Sequence, residues 1–318
     1  MKQMQKVLYK YKTFDTYTLD ALISDKIYLS DPNNFNDPLD CKPHVVNDGL
    51  NISELSYVLK KMLFRSSYSQ NIHTYLPLLK QYGSFDNFYR MIDSITKSDT
   101  DEFICAVESF YSDDTVEYEL ILINSIQEQL TNQRIGVLSL ASQYNCPLMW
   151  SHYGDQHNGV CIGYKIPGDA DEFFSRMRVL KVDYDKPRQI NVSLIKAACD
   201  GDSDAEFEID NIIYSRKADK WAYEEEYRMI SKVGLHPSPF ILSDITFGLR
   251  CNPSVMYSVM VALSRRQSSL SDTKDAVKFY KMVQSKGSFV LNREPITFDD
   301  LWALPKDHQF IKNMALER

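Results

Sequence analysis

The chain has 318 residues, 44% of them hydrophobic and 25% charged. That is ordinary globular composition and enough length for one large domain or two modest ones, so disorder as the main state is excluded. The net charge of -7 argues against a broad basic face for duplex DNA.

The six cysteines (Cys41, Cys105, Cys146, Cys161, Cys199 and Cys251) include no C-x-x-C pair and form no ligand cluster with histidine. A disulfide scaffold or structural zinc site is therefore not expected, and no metal is predicted. Lys2, Lys6, Lys10 and Lys12 stand among tyrosines with no apolar signal core, and the most apolar stretch, around Leu120, is too short to span a bilayer. A cytoplasmic location without membrane partners is the expectation.

In chain order, Val7 to Tyr11 reads as a strand, and an amphipathic helix carrying Leu19, Leu22 and Ile23 follows. Lys26 to Ser30 reads as a second strand. It leads into the loop Asp31 to Asp40, whose proline, asparagine and aspartate density marks turn chemistry. Asn51 to Asn132 has helical periodicity throughout and reads as a helical insertion over 46–132 within a single domain spanning 1–318.

Strands resume at Gly136 to Leu140. A short helix over Pro147 to Tyr153 and a strand over Val160 to Tyr164 come next. Val179 to Tyr184, Glu226 to Ile230, Ile245 to Phe247, Val277 to Val283 and Phe289 to Leu291 are further strand candidates. Val192 to Ala218 reads as helix broken near Gly201, and Pro253 to Ser264 as another helix. Short strands and unevenly placed helices do not fit a doubly wound sheet. The fold class expected is α+β, with a mixed, mostly antiparallel sheet.

Three segments could carry chemistry. In Lys220 to Arg228, strand alternation would put Glu224, Glu226 and Arg228 on one face, with the arginine complementing the carboxylates. A surface ion-pair ladder is the competing explanation. In Asn145 to Gly154, Met149, Trp150 and Tyr153 share a helical face; Met149 is expected in the core. His152 and His157 are spaced wrongly for a metal pair on one helix. The third segment joins Tyr9, Lys10 and Tyr11 to the turn Asn36-Asp37-Pro38. Alternation allows only Lys10, or else Tyr9 and Tyr11, to face a pocket. The acidic stretch Asp200 to Asp204 lacks the glycine and glutamate of a calcium loop and reads as a solvated loop.

As an ordered set, YKY, FNDPLDC, MWSHYGDQHNGVCIGY and W-x-Y-E-x-E-Y-R resemble a bacterial family catalogued as domain of unknown function twenty-nine seventy-one. More distantly, the layout resembles the core of ADP-ribosyltransferases, in particular the poly-ADP-ribose polymerase and diphtheria-toxin-like branch. Glu226-Tyr227 is similar to that core's closing glutamate–tyrosine element, and Glu224-x-Glu226 resembles its arginine-modifying members. Lys10 stands where histidine or arginine is usual, and Ser139 or Tyr153 substitutes for the second motif.

The resemblance implies an ADP-ribosyltransferase-like fold with NAD as substrate. Glu226 would be the catalytic carboxylate and Glu224 would position the acceptor. Trp150 or Tyr153 would stack on nicotinamide and Lys10 or Arg228 would meet the pyrophosphate, with Tyr9, Tyr11, Asn36, Asp37 and Ser139 completing the NAD site. The implied context is a toxin or phage-defence effector with a protein or nucleic-acid acceptor and an antitoxin or regulator as partner. Two alternatives stand beside it: a non-catalytic nucleotide- or partner-binding module, and a metal-free hydrolase or nuclease using Glu226 with His152.

Overall fold

The computed structural model describes residues 6–82, 84–111, 115–132, 135–269 and 276–301. In chain order the elements are β1 (Val7–Lys12), α1 (Thr16–Ser24), β2 (Lys26–Leu29), β3 (His44–Val46), α2 (Ile52–Tyr75), α3 (Phe85–Tyr111), α4 (Thr115–Thr131) and β4 (Ile135–Ala141). Then follow α5 (Pro147–His152), β5 (Val160–Lys165), α6 (Ala170–Met177), β6 (Val179–Lys181), β7 (Gln189–Asn191), α7 (Val192–Cys199) and α8 (Ser203–Ser215). The last are β8 (Glu226–Lys232), β9 (Gly234–Pro237), β10 (Ile241–Phe247), α9 (Pro253–Ser269), β11 (Lys278–Gln284), β12 (Leu291–Pro295) and α10 (Phe298–Leu301). No helix among the described residues is long and apolar enough to cross a membrane.

The chain divides into two compact units. The first holds 1–34, 135–184 and 218–318 and is built on an eight-stranded sheet in the order β12-β11-β10-β5-β1-β4-β8-β6. The α+β class is as expected, and the sheet is mostly antiparallel, with β10 and β11 its parallel pair. Alternation gives the sheet two unlike faces. Leu8, Leu138, Leu140, Ile162, Ile245 and Phe247 point to one side, where Met256, Val259, Met260 and Leu263 of α9 join the same core. Each such side chain contributes about 2 kcal/mol by leaving water. The other face is more polar and carries the site described below.

The second unit takes 35–134 and 185–217. The helical stretch expected at 46–132 falls inside it as α2, α3 and α4, and α7, α8 and the parallel β3–β7 pair join from the later segment. Helix α2 opens with a capping box in which Asn51 accepts from the Glu54 N–H and Glu54 accepts from the Asn51 N–H. The break expected near Gly201 is present, with φ at +100°, between α7 and α8. The acidic stretch there is a helix cap: Asp202 accepts from the Asp204 and Ala205 amides.

Several strand boundaries differ from expectation; β6 ends at Lys181 rather than Tyr184, and β10 begins at Ile241 rather than Ile245. Phe289 lies in a turn and is 92% exposed, so the last strand begins at Leu291. Residues Asp219–Glu224 form a 3-10 turn rather than the start of β8. The reason lies in contacts with distant segments. Glu225 adopts a left-handed φ of 45° while its carbonyl accepts from the Ser142 N–H, and Trp221 and Tyr223 fold back toward His152.

Candidate functional site

The polar face of the first unit's sheet gathers residues from distant segments, and register fixes which ones. Directly opposed residues share a face. Tyr9 opposes Ala141, Ala141 opposes Glu226, and Ser139 opposes Arg228. Tyr9, Tyr11, Ser139, Glu226 and Arg228 therefore lie on one side. Lys10 opposes Ile162 and belongs to the other side, where its Nζ donates to the Ser139 carbonyl oxygen at 2.9 Å. Of the two choices that alternation left open, the tyrosines take this face.

At the start of β8, Arg228 grips Glu226 bidentately. Nε donates to Oε1 at 2.8 Å and Nη2 to Oε2 at 2.9 Å, with 0% of the arginine side chain and 4% of the glutamate exposed. The backbone of Glu226 is held as well: its N–H donates to the Tyr184 hydroxyl and its carbonyl accepts from the Val182 N–H. The pair is no surface ladder. Charges so thoroughly removed from water persist only with this kind of geometry.

Glu224 is buried too, but it reaches its position from the 3-10 turn rather than by strand alternation. Tyr153, at the end of α5, donates its hydroxyl to Glu224 Oε1 at 2.8 Å. His152, Tyr153, Trp221 and Tyr223 pack as neighbouring rings around this contact. Trp150 supports this shelf from below. It is fully buried, its Nε1–H donates to the Tyr144 carbonyl, and its ring meets Tyr11 edge-on and stacks on His157. A ring enclosed in that way is not available to stack on a ligand. Met149 is in the core as expected.

Burial of Tyr11 pushes its hydroxyl pKa well above the ordinary tyrosine value, and burial raises that of Tyr9 to about 12. Both are neutral hydrogen-bonding groups at physiological pH, and Tyr11 donates to the Gln143 carbonyl at 3.0 Å.

The loop Gly154–Gly159 holds Asp155, Gln156 and His157 in left-handed conformations, an arrangement that costs roughly 1–2 kcal/mol per residue. A Cβ at Gly159 would overlap the Lys12 carbonyl oxygen, so this glycine is required by close approach. Part of the G-D-Q-H-N-G motif is thus explained by the route of the chain from α5 to β5. Burial lowers the His157 pKa, with Arg250 acting in the same direction, and its Nδ1 is buried without a hydrogen-bond partner among the described residues.

Sequence reasoning missed a second ion pair on the same face. Arg293 Nη1 donates to Asp244 Oδ1 at 2.6 Å and to Thr246 Oγ1 at 3.0 Å. Its guanidinium lies 4.0 Å from the Tyr144 ring centre and 4.2 Å from that of Tyr280. The one available signal was an aspartate at an inward position of the apolar strand ILSDITF. Asn36 and Asp37 belong to the second unit, where Asp37 accepts from the Leu39 N–H at 2.9 Å in a turn. His152 is exposed, with its ring beside Tyr153, Trp221 and Tyr223, whereas Glu226 is buried and held by Arg228. Among the described residues no group of three or more His, Cys, Asp or Glu could hold a metal ion.

Comparison with known families finds a match over residues 149–229 to a family described as protein of unknown function (DUF2971). That segment opens on α5 and closes in β8, so it contains Tyr153, Glu224, Glu226 and Arg228. The resemblance seen in the sequence motifs to this domain-of-unknown-function family is borne out there. No curated protein and no solved structure matches the chain.

Proposed function

We propose that the first unit binds NAD and breaks its nicotinamide–ribose bond, transferring ADP-ribose to a macromolecular acceptor as an ADP-ribosyltransferase does. The observation that carries this is the meeting of α5 with the two carboxylates before and in β8. Tyr153 bonds Glu224 at 2.8 Å, and Glu226 follows two residues later on the face that bears Tyr9 and Tyr11. Cleavage of the bond develops positive charge at the ribose carbon, as in glycoside hydrolysis. A carboxylate fixed before the substrate arrives stabilises that charge without reorganising. In this reading Glu226 is that group, oriented by Arg228, Glu224 positions the acceptor, and the exposed edge of the Tyr153 cluster offers a surface for the nicotinamide ring. A toxin or defence role, with an antitoxin or regulator, belongs to the same proposal.

One observation favours a second reading, a non-catalytic nucleotide-binding module. Both carboxylate oxygens of Glu226 are engaged by Arg228, which spends part of the charge that catalysis would use. The two readings separate by measuring NAD binding and nicotinamide release in parallel, with cell lysate as acceptor. Release by wild type that is lost in Glu226→Gln, with NAD binding kept, supports the transferase. Binding without release in wild type supports the module. Absence of both overturns the assignment of NAD to this face.

A further inference from the structure

A pocket of about 470 Å³ opens between the loop after β4 and the turn joining β11 to β12. It falls within the roughly 300–1,000 Å³ range of small-molecule sites. Asn145, Cys146 and Pro147 form one wall, and Phe289, Val290 and Leu291 the other. Gln143 and Ser288 complete the lining, so no charged side chain borders the pocket among the described residues.

Two features of the walls point to a ligand. The Asn145 carboxamide is half-buried and makes no hydrogen bond among the described residues. Gln143, by contrast, is committed: its Nε2 donates to the Tyr223 carbonyl at 2.9 Å. The second feature is Phe289, held at the rim at 92% exposure and stacked on no other ring among the described residues. An isolated exposed phenylalanine needs no explanation by itself. An exposed flat ring across a pocket from an unused carboxamide offers a face for stacking and an edge for pairing in one place.

We propose that this pocket binds an adenine base, stacked between Phe289 and Pro147 with its edge paired to Asn145. The carboxamide favours adenine over guanine and cytosine; uracil, whose N3–H and O4 also lie side by side, is separated by its smaller stacking face and by the uridine arm of the test. A carboxamide presents one donor and one acceptor side by side, matching the amino group and ring nitrogen of adenine, whereas guanine is met by arginine or lysine and the cytosine amino group by a carboxylate. Neither class of charged partner borders this pocket. An aromatic face adds sequence-tolerant stacking worth about 1–3 kcal/mol per base.

The inference does not depend on NAD cleavage, because it uses none of Tyr153, Glu224 or Glu226. Adenine could be offered by a free nucleoside or nucleotide, or by single-stranded nucleic acid. The net charge of -7 makes a long phosphate chain the less favourable source.

Cys146 provides the readout. It is the half-exposed thiol in the pocket wall; Cys105 is the exposed one, and Cys41, Cys161, Cys199 and Cys251 are buried. In a full-length Cys105→Ser background, alkylation by N-ethylmaleimide followed by intact mass reports on Cys146, with Cys146→Ser as the labelling control. For a Kd on the order of 1 mM, adenosine at about 5 mM slows the reaction roughly sixfold. Asn145→Ala and Phe289→Ala abolish the protection. Phe289 is so exposed that its truncation leaves folding intact, which keeps the test decisive if Asn145→Ala is unstable.

Uridine at the same concentration protects less than adenosine. A short oligodeoxyadenosine that protects at concentrations about tenfold lower than adenosine supports the adenine site with nucleic acid as its source. Equal protection per base supports a free nucleoside. No slowing by either probe overturns the proposal, as does protection that survives both substitutions. Failure of nicotinamide release would leave this result untouched.

Discussion

Two arginine–carboxylate pairs sit on the same sheet face and are built in opposite ways. Glu226 and Arg228 are two residues apart on one strand, joined bidentately and sealed from water. Asp244 and Arg293 come from β10 and β12 with β11 between them. They meet through one guanidinium nitrogen, and Tyr144 and Tyr280 supply the remaining cover. The first pair is local geometry made rigid by burial; the second exists only once four pieces of chain have been packed. Burial opposes the charge on Arg293, yet Asp244 and the neighbouring tyrosines outweigh it and raise its pKa above the ordinary value. The enclosed pair is the one whose loss must cost most, because a partner left behind has no water to turn to.

That contrast is broken first by Arg228→Ala, which strands the Glu226 carboxylate and is expected to cost about 4 kcal/mol in urea unfolding. Replacing both partners, as Glu226→Gln with Arg228→Met, recovers more than half of that loss if desolvation of an unpaired charge is the cause. A double variant as unstable as the single one refutes this account.

Arg293→Ala is expected to cost about 2–3 kcal/mol, combining the lost Asp244 contact with stacking on two tyrosines. Since 17% of its side chain is exposed, water re-enters and the cost stays below that of Arg228→Ala. The reverse order of the two alanine variants would sink the comparison.

Gly163→Ala attacks the second pair without touching either charge. Gly163 opposes Asp244 across β5 and β10, and a Cβ there would overlap the Asp244 carboxylate. Displacing a buried, ion-paired carboxylate is expected to cost about 2 kcal/mol. In the Arg293→Ala background the same change should cost visibly less, because the carboxylate is then free to move. Strict additivity of the two would mean that they do not act on one pair.

The same contrast shows what was legible in the sequence. Glu226 and Arg228 stand out because strand alternation places residues two apart on one face, so a pair of this kind can be read from nine letters. Glu224 was assigned to that face for a reason that does not hold. A left-handed Glu225 ends the alternation, and burial of Glu224 depends on Tyr153 arriving from α5. Nothing local announces that a non-glycine residue will adopt positive φ. Asp244 and Arg293 could not be paired from sequence, because strand order rather than spacing brings them together. Trp150 was correctly placed on a helical face with Met149 and Tyr153, but periodicity does not separate a fully enclosed ring from one at the edge of the same stripe. The helices of 51–132 were legible because helical hydrophobic spacing is local, and the joining of 185–217 to them was not.

The smallest expected effect belongs to Tyr9, which lies on β1 between the two pairs. Its hydroxyl pKa is raised to about 12, chiefly by burial, while the Arg293 guanidinium pulls it down and Asp244 pushes it up. The unfolded chain releases this proton near pH 10 and the folded chain holds it to about 12. Between those values the folded state binds more protons, so stability falls as pH rises. Below pH 10 the contribution is fully present. Tyr9→Phe removes the titrating group, so urea midpoints of wild type and variant should converge, or cross, between pH 10 and 11, by about 1 kcal/mol relative to their difference at pH 8. In an Arg293→Met background the pKa of Tyr9 rises further, because the cation that lowers it is gone, and the pH-dependent gap widens. A gap that is independent of pH would show that the Tyr9 hydroxyl is hydrated in the folded protein and does not belong to the enclosed face shared by the two pairs.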